Sequence, residues 1–124
     1  MTLLLSTTID PFKFINFANT NAHWSKKETI KNILRWNFQH PNRTALILIQ
    51  LPVVAKIVRI SPRTQNFDNF VYNCKCVRDF IADCLKPGLA PGRADDDEND
   101  IQWHYSQEKG KPKQYALRIE IWKI

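Results

Sequence analysis

The sequence contains no C-x-x-C pair, no internal repeat and no apolar stretch long enough to cross a bilayer. Each absence removes a class of protein. The cysteines are three, Cys74, Cys76 and Cys84, an odd number confined to one segment. Residues two apart on a helix point in different directions, so Cys74 and Cys76 are poorly set to share a tetrahedral zinc. Reduced, mostly buried thiols are expected instead. The longest apolar stretch, "ALILIQLPVVA", is broken by Gln50 and Pro52. It falls well short of the ~20 residues that a spanning helix needs. The opening "MTLLLSTTIDPF" has a short apolar run and no basic flank, unlike a signal peptide. These features lead us to expect a soluble, cytoplasmic protein with no membrane partner.

What is present suits a folded domain. With 124 residues, 44% of them hydrophobic and 11% aromatic, the chain can bury a single core over residues 1–124. The net charge is +6 and the pI about 9.4, a balance that favours a polyanionic partner. The charge is unevenly spread. Residues 1–94 hold thirteen Lys/Arg against five Asp/Glu, and five of the remaining acids fall between Asp95 and Asp100. A basic body with one concentrated acidic patch fits a nucleic-acid surface around a cation site. It equally fits a basic protein with a solvated acidic loop.

In "WSKKETIKNILRWNF", Ser25 reads as an N-cap with Glu28 completing a capping box. Apolar residues then recur at helical spacing, which predicts a helix over residues 25–38. "HPNRT" reads as a turn, while "ALILIQ" and "VVAKIVRI" are β-rich runs separated at Leu51-Pro52. "IQWHYSQ" and "YALRIEIWKI" alternate apolar and polar residues, and "EKGKPK" between them suits a hairpin turn. The order predicts an α+β domain, a mixed or antiparallel sheet covered on one face by two helices.

The second of those helices is "NFDNFVYNCKCVRDFIADC", residues 66–84. At roughly 100° per residue, Lys75 and Asp79 each fall within about 20° of Asp68 around the axis. Acid, base and acid then form a column, with Tyr72 to one side. Phe70, Cys74, Val77, Phe80, Ile81 and Cys84 occupy the other half, the apolar face a packed helix needs. The loop after it carries Asp95, Asp96 and Asp97. Carboxylates without thiolate or imidazole neighbours favour a hard cation, so Mg²⁺ is the expected ion and Mn²⁺ its substitute. Such an ion assists phosphodiester hydrolysis, and Lys75 would neutralise charge developing on the phosphate. A solvated stripe and a solvated loop are the competing interpretation.

Around these residues the chain resembles the RusA family of Holliday-junction resolvases, particularly its phage-encoded members. The family motif is Asp-x-Asp-Asn at a helix start, then a lysine, an Asp four residues later and an Asp-Asp pair after a loop. "NFDN" places Asp68 and Asn69 on the second acid and the asparagine, Lys75 on the lysine and Asp79 on the following acid. Counting back from Ile101 puts the pair at Asp95 and Asp96, with Asp96 at the metal site. "NTNAHWSKKE" and "WHYSQEKGKP" are similar to family segments as well, so the likeness runs from about residue 20 to the C-terminus. It implies a metal-dependent endodeoxyribonuclease with Asp68, Lys75 and Asp96 as catalytic residues. Asp68, Asp95, Asp96 and position 66 would hold the metal, with Asn69 and Asp79 in support. It further implies branched DNA as substrate and a homodimer, as two symmetric nicks require.

The departure is at residue 66, where the family has Asp and this chain has Asn66. An amide keeps an oxygen but loses a charge, which weakens a metal site. Either neighbouring acids compensate and cleavage persists, or the protein binds branched DNA without cutting it. Lys56, Arg59, Arg63 and Arg78 lie near the acid site in sequence and are the expected phosphate contacts. His23 and His104 read as packing or sheet-face residues.

Overall fold

Val53–Ser61, "VVAKIVRIS", carries apolar side chains at both alternating sets of positions, the pattern of a strand covered on both faces. A computed structural model describes residues 1–14, 23–88 and 99–124 and puts this strand, β2, inside the sheet. The other strands are β1 (Thr2–Ile9), β3 (Ile101–Lys109) and β4 (Ala116–Lys123). The sheet order is β1-β4-β2-β3. β4 runs antiparallel to both β1 and β2, while β3 runs parallel to β2. This is an α+β fold with a mixed sheet.

Side chains of alternate residues point to opposite faces. Val53, Ala55 and Ile57 of β2, with Leu117, Ile119 and Ile121 of β4, are fully buried under the helices. Helix α1 (His23–Leu34) continues into a π-helical turn, Arg35–Gln39, closed by the His40 N–H on the Arg35 carbonyl at 2.9 Å. Leu34 and Phe38 from this segment reach the core. Asn42 Nδ2 donates to Thr7 Oγ1 at 2.8 Å and ties the segment to β1. The remaining cover comes from α2 (Arg43–Leu48), α3 (Phe67–Asn73) and α4 (Lys75–Leu85).

On the opposite face no helix of the described residues packs. Val54 and Val58 are nevertheless buried there. Charged and aromatic side chains at neighbouring register positions shield them. Arg118 bridges Glu108 and Glu120, Trp122 Nε1 donates to Glu120 at 2.9 Å, and Lys56 Nζ lies 4.9 Å over the Trp122 ring. The hydrogen bonds that Arg118 donates to Glu108, with help from Glu120, raise the Arg118 pKa further above its ordinary value against the effect of burial.

Four expectations need correction. "ALILIQ" is not β: Arg43–Leu48 is helical, with only Leu46 buried and Ile47 and Leu48 76% and 73% exposed. Periodicity cannot separate a short apolar run in a strand from one in a helix, and β1 fills the edge place beside β4. β1 itself lies in a stretch weighed above only as a leader. The last two strands form no hairpin, because β2 lies between β3 and β4. Their connection crosses the end of β2, where the Gly110 N–H donates to the Ser61 carbonyl at 2.9 Å. A Cβ at residue 110 would sit 3.1 Å from Ile60 Cγ2, so glycine suits the crossing. Helix α1 begins at His23, two residues before Ser25, so the predicted capping box does not start it. Finally, residues 66–84 form two helices instead of one.

One polar clamp fixes where the first of these two helices, α3, starts. Gln107 on β3 accepts from the Gln65 N–H and donates to the Gln65 carbonyl, both at 2.9 Å, which imitates a strand pairing with a side chain. Its Oε1 also receives Arg59 Nη1 at 3.2 Å. Gln107→Leu removes all three bonds and should cost about 1–3 kcal/mol. Urea unfolding should show a lower midpoint at unchanged slope, and hydrogen exchange at Gln65 should speed up. An unaltered midpoint would show that the clamp holds nothing.

Candidate functional site

Asn66 is the N-cap of α3. Its Oδ1 accepts from the Asp68 N–H at 3.0 Å and from the Asn69 N–H at 3.3 Å. A side-chain amide oxygen has two lone pairs, so these two bonds occupy it. In this geometry Asn66 is a cap and offers no oxygen to a metal, contrary to the ligand role the resemblance implied. Asn69 contributes its backbone N–H to the same cap.

Asp68 sits in the first turn of α3 and is exposed. A carboxylate there is favoured by the positive end of the helix dipole. Its exposure leaves it open to a cation from solvent. The acidic residues Asp95, Asp96 and Asp97 lie outside the described residues. Among the described residues no group of three or more His, Cys, Asp or Glu side chains is gathered to hold a metal. Mg²⁺ commonly takes only one or two carboxylates and fills its remaining positions with water and phosphate oxygens. Asp68 fits one of those places; Asn66 in its capping rotamer does not.

The predicted column is interrupted at Cys74. This residue keeps right-handed helical angles, φ −78° and ψ −10°, but its N–H is shared between the carbonyls of Phe70 and Val71 at 3.0 and 3.1 Å. Sharing of this kind tightens the turn. The phase between Asp68 and Lys75 is then not that of one uninterrupted helix. Below the break the column holds: Lys75 Nζ is 3.9 Å from Asp79 Oδ2, one turn on, with Lys75 well exposed and Asp79 partly buried. The apolar half is as expected. Phe70, Cys74, Val77 and Ile81 are buried, with Phe80 and Cys84 packed against them.

The thiols take no part in the polar stripe. All three are free, Cys74 and Cys76 buried and Cys84 partly so. Burial raises each pKa, moving Cys84 to about 12 with a contribution from Asp83. Protonated thiols are poor nucleophiles and poor ligands.

The four basic candidates separate. Lys56 lies on the helix-free face of the sheet, over Trp122, and does not join the others. Arg63 is exposed in the segment leading to α3. Arg59 donates Nη1 to the Arg63 carbonyl at 2.8 Å, and burial lowers its pKa, opposed in part by Tyr115 and Cys74. Arg78 donates to the Tyr105 hydroxyl at 3.2 Å and stacks 5.3 Å over the Trp103 ring. Arg59 and Arg63 thus stand beside the start of α3, and Arg78 one helix further along. The clamp residue Gln107 was not singled out from the sequence. Its place in an alternating strand marks a face but not a partner 42 residues away.

The comparisons leave this geometry to stand alone: no protein-family model matches the chain, and no curated protein does.

Proposed function

We propose that the protein is a Mg²⁺-dependent, structure-selective endodeoxyribonuclease that resolves Holliday junctions, in the manner of the RusA family it resembles. The observation carrying this reading is the motif around Asp68: an exposed carboxylate in the first turn of a capped helix, beside Arg59 and Arg63. Bound Mg²⁺, with Mn²⁺ as substitute, supplies polarisation of the phosphodiester and a more acidic attacking water. Asp68 would hold that ion, with Asp96 and Asp95 as the further carboxylates that the resemblance implies. Lys75 offers positive charge to the phosphate, and Asp79 positions the ammonium from one turn below. Arg63 contacts the backbone phosphates. Junction resolution requires two nicks related by symmetry, so the working form is a homodimer. Among the described residues no helix is long and apolar enough to cross a membrane, and the proposed place of action is the cytoplasm.

A second reading is favoured by the saturated Asn66 oxygen. With residue 66 spent on capping, the protein binds four-way junctions but cleaves them weakly or not at all.

Labelled four-way junction incubated with the protein and Mg²⁺ or Mn²⁺ separates the two. Under the first reading, Asp68→Asn and Asp96→Asn each abolish nicking and leave junction affinity nearly unchanged, because each removes metal charge and no phosphate contact. Full nicking by either variant would remove that acid from the site. Binding should prefer the junction to linear duplex of equal length, and its log–log salt slope should be about −0.9 per phosphate neutralised.

Asn66→Asp tests the second reading directly. A carboxylate caps as well as an amide, using one oxygen for the Asp68 and Asn69 N–H groups. It then presents a second oxygen where the amide presents NH₂. The Mg²⁺ concentration for half-maximal cleavage should fall several-fold, or cleavage should appear in a silent protein. Without metal the variant should melt slightly lower, because two carboxylates then adjoin; added Mg²⁺ should raise its melting temperature more than that of the parent. Identical metal dependence of the two proteins would place residue 66 away from the metal.

A further inference from the structure

At the carboxyl end of β2 a cleft of about 140 Å³ is lined by Phe12, Lys13, Phe14, Arg59, Ile60, Ser61 and Tyr115. Its walls come from three parts of the chain. The Phe12 N–H donates to the Tyr115 carbonyl at 2.8 Å, which holds the segment after β1 against the start of β4. Lys13 Nζ then lies 4.8 Å over the Tyr115 ring. Phe12 and Phe14 meet edge to face, and Phe14 meets Phe70 in the same way, so the apolar part of the lining is braced.

Arg59 is the informative residue. Both acceptors of its Nη1, the Arg63 carbonyl and Gln107 Oε1, are neutral oxygens. They fix the guanidinium plane without cancelling its charge. Among the described residues Arg59 has no carboxylate partner. A partly buried cation held in this way is costly unless an anion reaches it. Ser61 accepts the Arg63 N–H at 3.4 Å, which leaves its hydroxyl proton to donate elsewhere. Arg63, whose carbonyl holds Arg59, is exposed, as are Lys111 and Lys113 in the turn before Tyr115. The nearby acid is Asp10, whose Oδ2 receives Gln114 Nε2 at 3.5 Å.

We propose that this cleft is an oxyanion site that takes a phosphate group, with Arg59 and Lys13 supplying charge and Ser61 a hydroxyl donor. A planar fork beside a mobile ammonium suits tetrahedral phosphate oxygens. The site shares Arg59 with the DNA-contact reading, but it rests on the cleft's own geometry and requires neither metal nor cleavage. The phosphate belongs either to a DNA backbone or to a free phosphate ligand, and the chemistry is common to both.

The test is a titration of the isotope-labelled full chain with inorganic phosphate, followed by NMR, against sodium chloride at matched ionic strength. Saturable shifts at Lys13, Ser61, Tyr115 and Arg59 Nε with phosphate alone, lost in Lys13→Ala, are the expected result. Lys13 is exposed, so this variant should fold as the parent does. Junction binding then identifies the phosphate's owner. A salt slope shallower by about 1 in Lys13→Ala assigns it to DNA, and an unchanged slope with phosphate binding intact in the parent assigns it to a free ligand. Shifts that are equal in chloride and phosphate, or that persist at full strength in Lys13→Ala, overturn the proposal. Neither result depends on whether the protein cuts junctions.

Discussion

Burial of β2 on both faces is the constraint from which the rest of the molecule follows. Val53, Ala55 and Ile57 require helices above them, while Val54 and Val58 require cover below. The upper demand places α1 and α4 across the sheet. The lower is met by the Arg118 ion pairs and the Trp122 ring instead of by another layer. A strand of this kind needs neighbours on both edges, so β3 and β4 part to admit it. Their connecting turn is thereby carried across the end of β2, and that crossing helps to bring Tyr115 beside Arg59 and Lys13.

The same strand organises the polar chemistry. Arg59 lies two residues beyond the last fully buried core position of β2, where the strand emerges from under the helices. There it meets Gln107 from the parallel neighbour, and the pair secures the segment from Arg63 to Gln65. Asn66 follows at once as the cap of α3. The orientation of Asp68 thus descends, through one side-chain amide and one guanidinium, from the register of β2 against β3.

How much of this was legible depended on whether the signal was local. The double-sided apolarity of β2, the alternation in β3 and β4, and the apolar face shared by Phe70, Val77 and Ile81 are local patterns, and each appears where the sequence puts it. The pairing of the last two strands is not local. "EKGKPK" is a competent turn, but it cannot reveal that a third strand lies between its arms. "ALILIQ" has the composition of a strand, and tertiary competition made it a helix. At the site, Asp68 of "NFDN" could be read as a ligand from its type and spacing. That Asn66 spends both lone pairs on its own helix depends on one rotamer, which no spacing rule supplies.

The place of β4 bears on how the protein is made. Among the described residues Thr2–Ile9 pairs only with β4, the last of the described strands, and β4 also completes β2. A nascent chain leaving the ribosome therefore carries β1 and β2 with no partner common to them until residues 116–123 emerge. Closing so long a loop late in synthesis has a modest entropic cost, but it defers the sheet, and topologies rich in distant pairings fold slowly. During that interval the apolar edges of β1 and β2 stand open, so yield in a cell should respond to chaperone supply and growth temperature more than the size of the domain suggests.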